Sequence, residues 1–329
     1  MLLLYSTAAL LLGFLLDLLI GDPRGIPHII VLIGRIIGAL ERPLRSRFGK
    51  DPAGERAAGR TLVVLMLLFA AVLYLILLLC YRLSPWLGLV LESLLVWQLL
   101  CMHDLKKESM TVFRKLKEQD LDGARHAVSM IVGRDTEVLD AQGVAKAAVE
   151  SVAENTSDGV VAPLFYLFLF GPLGGLVCKT VNTMDSMVGY RNERFLNYGR
   201  AAALTDDVFN FLPARISALL MIVSAKLTGL DARNAYRIWR RDRFNHDSPN
   251  SAQTESAVAG ALHVRLAGDA RYFGVWHEKK FIGDEDRQTV PEDIPRTNRL
   301  MMVSSVIMLA VALAVRAAVI LGGHMYAAV

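Results

Sequence analysis

The sequence predicts an all-α, polytopic integral membrane protein. Hydrophobic residues make up 53% of the 329 residues and charged residues 21%, and the mean hydropathy is +0.38. The charges are segregated from the apolar runs, which is typical of a protein with several spans and substantial aqueous loops. No stretch alternates apolar and polar residues clearly enough to predict a sheet.

Five or six apolar segments are expected to form membrane helices. The first runs from Leu2 to about Ile20; because no basic residue precedes it and Gly21-Asp22-Pro23 does not resemble a cleavage site, we interpret it as an uncleaved span. The others are Thr61 to Cys80, Leu83 to Met102, Val160 to Cys178, Val208 to Leu227 and Leu300 to Leu321. Each has roughly the 20 residues that a helix needs to cross a bilayer.

Two long polar segments, 103–157 and 229–299, are predicted to be helical cytoplasmic loops of one membrane-embedded domain covering 1–329. Leu121, Ala124, Val128 and Ile131 recur at helical spacing, and Gly133 then breaks the pattern. At Gly133 to Thr136 we expect a helix break followed by an N-cap. The basic stretch 42–60 is predicted to be a third cytoplasmic loop, because positive charge favours that side.

Composition and motifs exclude several classes of protein. The formal net charge is only +4, and no basic stripe is interleaved with aromatic residues, so we expect no nucleic-acid partner. Cys80, Cys101 and Cys178 each lie in an apolar run, which favours simple packing roles. The sequence has no Walker loop, no dinucleotide-binding glycine motif and no Cys/His array for zinc.

The most informative stretch starts at Glu150, where polar clusters flank the apolar run Val160 to Cys178. Ionisable groups at a membrane are costly to keep, so they indicate a functional site. On a helix, Lys146, Glu150, Glu154 and Asp158 share one stripe at four-residue spacing. A solvated helix face that ends at the membrane surface would give the same stripe. The second polar cluster, after the apolar run, favours a site.

Together with similar patches at other span ends, these residues resemble one family, the membrane-bound adenosylcobinamide-phosphate synthases of cobalamin biosynthesis. The phrases that carry the resemblance are Gly21-Asp22-Pro23 with Pro27-His28, Val132 to Thr136, Glu150 to Thr156, Asp158-Gly159 through Tyr166, Val181 to Tyr190, Asp206-Asp207 with Asn210 and Pro213-Ala214-Arg215, and Ser248-Pro249-Asn250 with Glu255 and Ala259-Gly260. They extend from the first span to about Gly268, and the phrase Val181 to Tyr190 is specific.

The chain departs from the family pattern at two places. Ile29 stands where the family usually has a second proline after the histidine. After Asn250 the order is Ser-Ala-Gln-Thr-Glu255, where the family usually has Ala-Gly followed by Pro and Glu. Both departures concern loop shape near His28 and Asn250, and neither removes an expected catalytic acid or base.

The resemblance implies an ATP-dependent ligase that joins adenosylcobyric acid to an amino-alcohol phosphate, such as aminopropanol phosphate, to give adenosylcobinamide phosphate. Because a carboxylate is a poor electrophile, an acyl phosphate is the expected intermediate, and its formation depends on positioning and charge neutralisation. ATP and Mg²⁺ are therefore the expected cofactors. We expect the chain in the lipid bilayer of the bacterial inner membrane, with its active site facing the cytoplasm. An assembly with other membrane enzymes of the pathway is left open.

Candidate site residues follow from side-chain chemistry on the matching patches; the resemblance does not fix their roles. The expected catalytic residues are Glu154, Asp158, Lys179 and Asp185. The expected metal ligands are Asp158, Asp185, Asp206 and Asp207. The expected substrate-binding residues are Asp22, His28, Arg35, Arg134, Asn155, Asn182, Arg191, Asn210, Arg215, Ser248, Asn250 and Glu255. Arginine suits bidentate phosphate contact, and asparagine suits the amides of a corrin.

Two other classes of protein stay open. A non-catalytic membrane sensor on the same scaffold would be expected to lose several of these acids and asparagines, which this chain keeps. A secondary transporter with broken helices would fit the prolines and glycines in Val160 to Cys178, although the long charged loops argue against it.

The broken run Val160 to Cys178 determines on which side of the membrane the following segment is expected to lie. If Val160 to Cys178 crossed fully, the basic segment after it would lie outside, against the positive-inside trend. We therefore predict that this run dips in and returns, or bends, so that Asp158, Lys179 and Asp185 face one cavity open to the cytoplasm.

Overall fold

The computed structural model describes residues 2–23 and 25–327, and these are mostly helical. The helices are α1 (Leu2–Ile20), α2 (Ile29–Phe48), α3 (Pro52–Leu83), α4 (Pro85–Leu99), α5 (Met102–Lys117), α6 (Leu121–Ser129), α7 (Ala141–Asn155), α8 (Ala162–Val188), α9 (Arg200–Leu227), α10 (Ala232–Asp242), α11 (Ser251–Leu262) and α12 (Asp293–Ala327). A π-helical turn, Thr156–Val161, joins α7 to α8. The all-α prediction is confirmed.

Six helical stretches are long and apolar enough to cross a membrane, which makes the chain a multi-pass membrane protein. They are Leu2–Ile20, Pro52–Leu83, Pro85–Lys117, Ala141–Val188, Arg200–Leu227 and Asp293–Gly322. Each predicted apolar segment falls mainly within one of them. The sixth is longer than expected, since its helix begins at Asp293.

Aspartates start four of the helices outside the apolar runs. Asp120, Asp140 and Asp231 accept hydrogen bonds from backbone amides three residues on, at 2.9, 2.7 and 2.8 Å. Asp51 does the same for α3, where Pro52 occupies the first helical position. A side-chain acceptor at this position satisfies an amide that the helix itself leaves unpaired. The helix break near Gly133 is confirmed, but the N-cap of the next helix is Asp140.

The chain reverses direction inside α8. Gly171 has φ +62° and ψ −153°, which no helix adopts, and Pro172 follows it. A Cβ at Gly174 would overlap the carbonyl oxygen of Tyr166 and lie 2.8 Å from the Cβ of Phe170. In a straight helix, eight residues span about 12 Å, so α8 is a helical hairpin with a first limb (162–170) and a second limb (172–188). The predicted bend is confirmed, and its exposure to the cytoplasm stays a prediction.

The predicted loop at 42–60 is wrong. α2 runs to Phe48 and α3 begins at Pro52, so only three residues separate the helices. α2 lies outside the six candidate spans, because its basic residues interrupt its apolar face. Arg45 pairs with Glu41 at 3.2 Å and with Glu55 of α3, which neutralises charge between the two helices.

The second polar segment is only partly helical. Besides α10 and α11 it contains β1 (Leu266–Ala267), β2 (Ala270–Tyr272), β3 (Val275–His277) and β4 (Phe281–Ile282). β1 pairs antiparallel with β4, and β2 with β3. Gly268 and Gly274 have φ of +84° and +81° and make the turns. Strands of two or three residues are too short to show the alternation that would predict them.

The chain divides into two compact units. Unit 1 comprises residues 1–101, 163–210 and 309–329, and unit 2 comprises 102–162 and 211–308. Both long polar segments belong to unit 2. In unit 1, buried residues of α2, α3, α8 and α9 form a core that includes Ile33, Leu62 and Met184. In unit 2, a larger core joins α5, α6, α7, α9, α10 and α11.

Candidate active site

The acidic stripe on α7 forms the centre of a polar cluster in unit 2. Glu150 is 3% exposed. One of its carboxylate oxygens accepts a hydrogen bond from the amide of Ala267 at 2.6 Å, and the other lies 2.5 Å from Nη2 of Arg134. Lys146, one turn earlier, donates to the carbonyl of Ala267 and lies 5.4 Å from the centroid of the Phe281 ring. The stripe is therefore covered by the β1–β4 segment and is not a solvated helix face.

A second helix adds residues to this cluster. Every residue of α11 except the half-buried Ser251 is buried. Ser251 Oγ donates to Glu154 Oε1 at 2.9 Å. Glu255, one turn further, is 5% exposed, and its Oε2 accepts no hydrogen bond from the described residues. Burial, and then repulsion by Glu150 and Glu154, raise the pKa of Glu255 well above its usual range.

The loop before α11 is tied down by its own polar residues. The Ser248 amide donates to Nδ1 of His246 at 3.1 Å, and the Asn250 amide donates to Oγ of Ser248 at 3.3 Å. Arg215 Nη1 donates to Oδ1 of Asn250 at 3.3 Å. Burial lowers the pKa of His246, although the nearby Glu154 opposes that shift. These contacts hold three predicted site residues beside the start of α11.

The loop between α6 and α7 borders a cavity of about 670 Å³ in unit 2. Asp135 fixes the loop by accepting hydrogen bonds from the amides of Phe273 and Gly274 at 3.1 and 2.8 Å. The cavity is lined by Arg125, His126, Arg134, Asp135, Thr136 and Phe273, among others. Arg134 thus lines this cavity and also contacts Glu150.

In unit 1, the loop after α1 is anchored to the end of α4. Trp97 donates to the carbonyl of Gly21 at 2.9 Å. Gln98 donates to the carbonyl of Pro27 at 2.9 Å and accepts from the amide of Ile29 at 2.8 Å. His28 caps α2, and its other ring nitrogen lies 3.3 Å from Asp22. A cavity of about 550 Å³ beside this loop is lined by His28, Arg35 and Gln98, with apolar neighbours.

The second limb of the α8 hairpin carries Lys179, Asn182 and Asp185, all half-buried. A Cβ at Gly189 would overlap Oδ1 of Asp185, so a larger residue here would force this carboxylate to move. The Gly189 amide also donates to the backbone carbonyl of Asp185 at 2.7 Å. The end of the helix therefore fixes the position of Asp185. Arg191 follows in an exposed loop.

α9 presents three more predicted residues in unit 1. Asp206 is 9% exposed and accepts a hydrogen bond from Asn210 at 2.9 Å, while Asp207 is half-buried. Within the described residues, no three His, Cys, Asp or Glu side chains are grouped to hold a metal ion. A Mg²⁺ bound mainly through phosphate oxygens needs only one or two carboxylates, so the metal prediction stays a prediction.

Six of the predicted site residues lie together in unit 2 through the contacts described above. They are Arg134, Glu154, Arg215, Ser248, Asn250 and Glu255. Asn155 donates to the carbonyl of Ser151 at 2.9 Å, and Asp158 lies in the π-helical turn. A π turn often marks a functional position in a helix. Because Asp158 belongs to unit 2 and Lys179 and Asp185 to unit 1, their shared cavity stays a prediction.

Four residues of the cluster were not predicted as site residues: Lys146, Glu150, His246 and Lys279. The four-residue spacing of the stripe already pointed to Lys146 and Glu150. Lys279 lies beyond the family phrases, in a segment whose short strands give no signal. It donates to the hydroxyl of Tyr272 at 2.8 Å and attracts the charge of Glu255.

Sequence reasoning also missed a polar network inside the spans of unit 1. Glu92, 1% exposed, accepts hydrogen bonds from Ser6 and from the hydroxyl of Tyr81, both at 2.6 Å. Arg316, 4% exposed, donates to the carbonyls of Leu167 and Phe168. These carbonyls end the first limb of the hairpin, where a helix leaves its acceptors unpaired. Single charged residues in apolar runs were the available signal.

Comparison with known proteins finds relatives along nearly the whole chain. A family model described as CobD/Cbib protein matches residues 10–301. A cobalamin biosynthesis protein CobD from Pelobacter propionicus is 46% identical over 96% of each chain. A protein of the same description from Clostridium perfringens is 40% identical over 93% of this chain and 97% of its own. A cobalamin biosynthesis protein CbiB from Salmonella choleraesuis is 43% identical over 93% and 96%. No solved structure matches the chain.

Proposed function

The chain belongs to the CobD/CbiB family, and we propose from this that it works in cobalamin biosynthesis as the ligase joining adenosylcobyric acid to an amino-alcohol phosphate. The observation that carries the proposal is the buried cluster of acids and bases on α7 and α11. Glu150, Glu154 and Glu255 meet there with Arg134 and Lys279. A ligase that handles a carboxylate, an amine and phosphates needs charged groups of both signs.

ATP would supply the phosphoryl group that activates the corrinoid carboxylate, and Mg²⁺ would neutralise its charge. The donors on α8 and α9 fit Mg²⁺, which prefers hard carboxylate oxygens. One or two of the candidate carboxylates would hold it together with phosphate oxygens of ATP; the candidates are Asp158, Asp185, Asp206 and Asp207. Arg134, Lys179 and Arg215 are suited to bind phosphate or carboxylate oxygens, since guanidinium and ammonium groups donate to anions.

The residues of this chain have distinct parts in the proposed reaction. Glu150 orients Arg134 through their ion pair, so that the guanidinium keeps one direction. Ser251 orients Glu154. Ser248 and Asn250 hold the loop before α11 in place. Burial of α11 excludes water, which strengthens every charged contact there and protects an acyl phosphate from hydrolysis.

Mass spectrometry of the purified full chain tests the proposal. With adenosylcobyric acid, aminopropanol phosphate, ATP and Mg²⁺, we expect a corrinoid product whose mass gain equals amide formation. Omitting either ATP or the divalent cation should abolish it. Amide formation without nucleotide would rule out the ligase, and ATP-independent movement of a corrinoid into proteoliposomes would favour the transporter. An intact protein that neither ligates nor transports would favour the sensor.

Two glycine variants test the part of Asp185. Gly189→Ala places a methyl group where Oδ1 of Asp185 lies, so the carboxylate must move and ligation should fall by about 100-fold or more. Gly38→Ala is the matched control, because nothing lies within 4 Å of its added Cβ. Asp185→Ala should abolish ligation while the protein still inserts. Wild-type turnover in both Gly189→Ala and Asp185→Ala would show that the C-terminal end of α8 has only a structural role.

A further inference from the structure

In the α7–α11 cluster, one buried carboxyl oxygen has no hydrogen-bond donor among the described residues. Glu150 is already neutralised by Arg134 and bound by the amide of Ala267. Glu154 accepts a hydrogen bond from the neutral hydroxyl of Ser251. Glu255 is only 5% exposed, and its Oε2 has no hydrogen-bond partner among the described residues. A buried carboxyl without a partner is costly, so Glu154 and Glu255 are poised for a group that donates to both.

The chain does not supply that group from its nearest lysines. Lys146 donates to the carbonyl of Ala267 and covers the Phe281 ring. Lys279 donates to the Tyr272 hydroxyl and lies 4.6 Å from the centroid of that ring. Both ammonium groups are thus held by other partners. A ligand that brings its own cation would complete the cluster.

The geometry also favours an ammonium over a metal ion. The described residues contain no group of three His, Cys, Asp or Glu side chains arranged for a metal. Ser251, one turn before Glu255 on α11, bonds to Glu154 of α7, which brings the two carboxyls to the same region. An ammonium needs only two or three acceptors. Arg134 and His246 lie beside the same acids, so an anion on the same ligand would also find partners.

We propose that Glu154 and Glu255 form the seat for the primary ammonium of a small amine that also carries a phosphate. This rests on the proposed function and identifies where the amine substrate binds. Such a ligand combines an ammonium that can donate to the two carboxyls with an anion that Arg134 and His246 can bind. Glu150 stays with Arg134 and positions it.

The seat also suits the bond-forming step. The ammonium gives one proton to a carboxylate of the seat, and the freed lone pair attacks the carbonyl carbon of the acyl phosphate formed with ATP. The C–N bond forms, the C–O bond to phosphate breaks, and phosphate leaves with that electron pair. The second proton lost by the nitrogen leaves with the phosphate. The high pKa of Glu255, caused by burial and by its acidic neighbours, suits it to accept the first proton.

Calorimetric binding to the full chain in nanodiscs tests the seat without requiring turnover. The probes are aminopropanol phosphate and propanediol phosphate, which keeps the phosphate and lacks the amine. We expect the amine to bind wild type at least about tenfold more tightly, because hydrogen bonds between charged groups contribute that much. Glu255→Gln and Glu154→Gln should each remove most of this preference and leave propanediol phosphate binding unchanged.

Glu118→Gln is the matched control, since the Glu118 carboxylate is exposed and pairs with Lys115 at the surface. Equal affinity of wild type for both probes would overturn the seat, and so would an unchanged preference in Glu255→Gln. Loss of Mg²⁺ binding in Glu255→Gln, with amine binding intact, would identify a metal site and overturn it too. Thermal melting confirms that each variant is folded.

The two proposals fail in different ways. If wild type prefers the amine through Glu255 but forms no amide, the ligase proposal fails and the seat stands. If wild type ligates while Glu255→Gln keeps the wild-type KM for the amine, the seat fails and the ligase stands. For a true seat, the KM for the amine should rise at least about tenfold while the KM for the corrinoid stays constant.

Discussion

Two buried polar clusters of this protein differ in how completely they are paired. In the intramembrane network of Ser6, Tyr81, Glu92 and Arg316, both carboxylate oxygens of Glu92 accept hydrogen bonds and the guanidinium of Arg316 donates to backbone carbonyls. In the α7–α11 cluster, Oε2 of Glu255 has no partner among the described residues.

The difference indicates different purposes. A fully paired network rigidifies the structure, and removing one member leaves the others stranded in a low-dielectric environment. A partly paired cluster is a poor way to stabilise a fold, so its presence indicates function. We therefore expect substitutions of paired groups, such as Arg316 and Glu150, to affect mainly stability, and substitution of the incompletely paired Glu255 to affect mainly ligand binding.

Arg316→Met should have the largest effect on stability. It leaves the charge of Glu92 without the nearby guanidinium and the carbonyls of Leu167 and Phe168 without their donor. Removing one charged member of a buried network in this way should cost about 3–5 kcal/mol, measured by thermal unfolding in nanodiscs. The double variant Arg316→Met/Glu92→Gln should recover part of the loss, because the stranded charge is gone. A single variant as stable as wild type would show that the network does not hold the hairpin.

Glu150→Ala should cost about 2–3 kcal/mol, because it strands Arg134 and the amide of Ala267. The cost is smaller than for Arg316, since the Arg134 side chain is 19% exposed and water can reach it. Glu150→Gln keeps an acceptor for the Ala267 amide and should recover about half of the loss. Denaturant titration measures both. An unchanged denaturation midpoint in Glu150→Ala would mean that the Glu150–Arg134 ion pair contributes nothing to stability.

Glu255→Gln should stabilise the protein by about 1 kcal/mol at neutral pH while weakening function, the trade-off expected of an active-site group. Glu150 and Glu154 of α7, with Arg134 and Lys279, surround this carboxyl, and its folded pKa is raised. Its contribution to stability is therefore fully present below the unfolded pKa of about 4.3 and is lost as pH rises through the folded value. The melting temperature of wild type should fall over that range relative to the variant. Parallel pH profiles would contradict the raised pKa.

The sequence predicted the parts of both clusters that depend on local spacing. The spans were visible because each is a long apolar run, and the α7 stripe was visible because its charges recur every four residues. The partners of Glu150 and Arg316 could not be predicted from the sequence. Ala267 is 117 residues from Glu150, and two-residue strands set its position. Arg316 finds its acceptors only because the chain reverses at Gly171, which a pattern of glycine and proline indicates without fixing the geometry.

Ser251→Ala should have the smallest effect on stability. It also tests whether Ser251 belongs to the amine seat. Ser251 is half-buried and donates one hydrogen bond, to Glu154 at 2.9 Å, so its loss should cost about 1 kcal/mol or less in stability. Because the hydroxyl orients Glu154, the affinity for aminopropanol phosphate should fall about threefold, measured by calorimetry. Ser129→Ala, whose hydroxyl donates to the carbonyl of His126 within α6 at 2.7 Å, is the control. A loss of tenfold or more would mean that Ser251 itself contacts the ligand, so that the seat includes a neutral acceptor as well as two carboxyls.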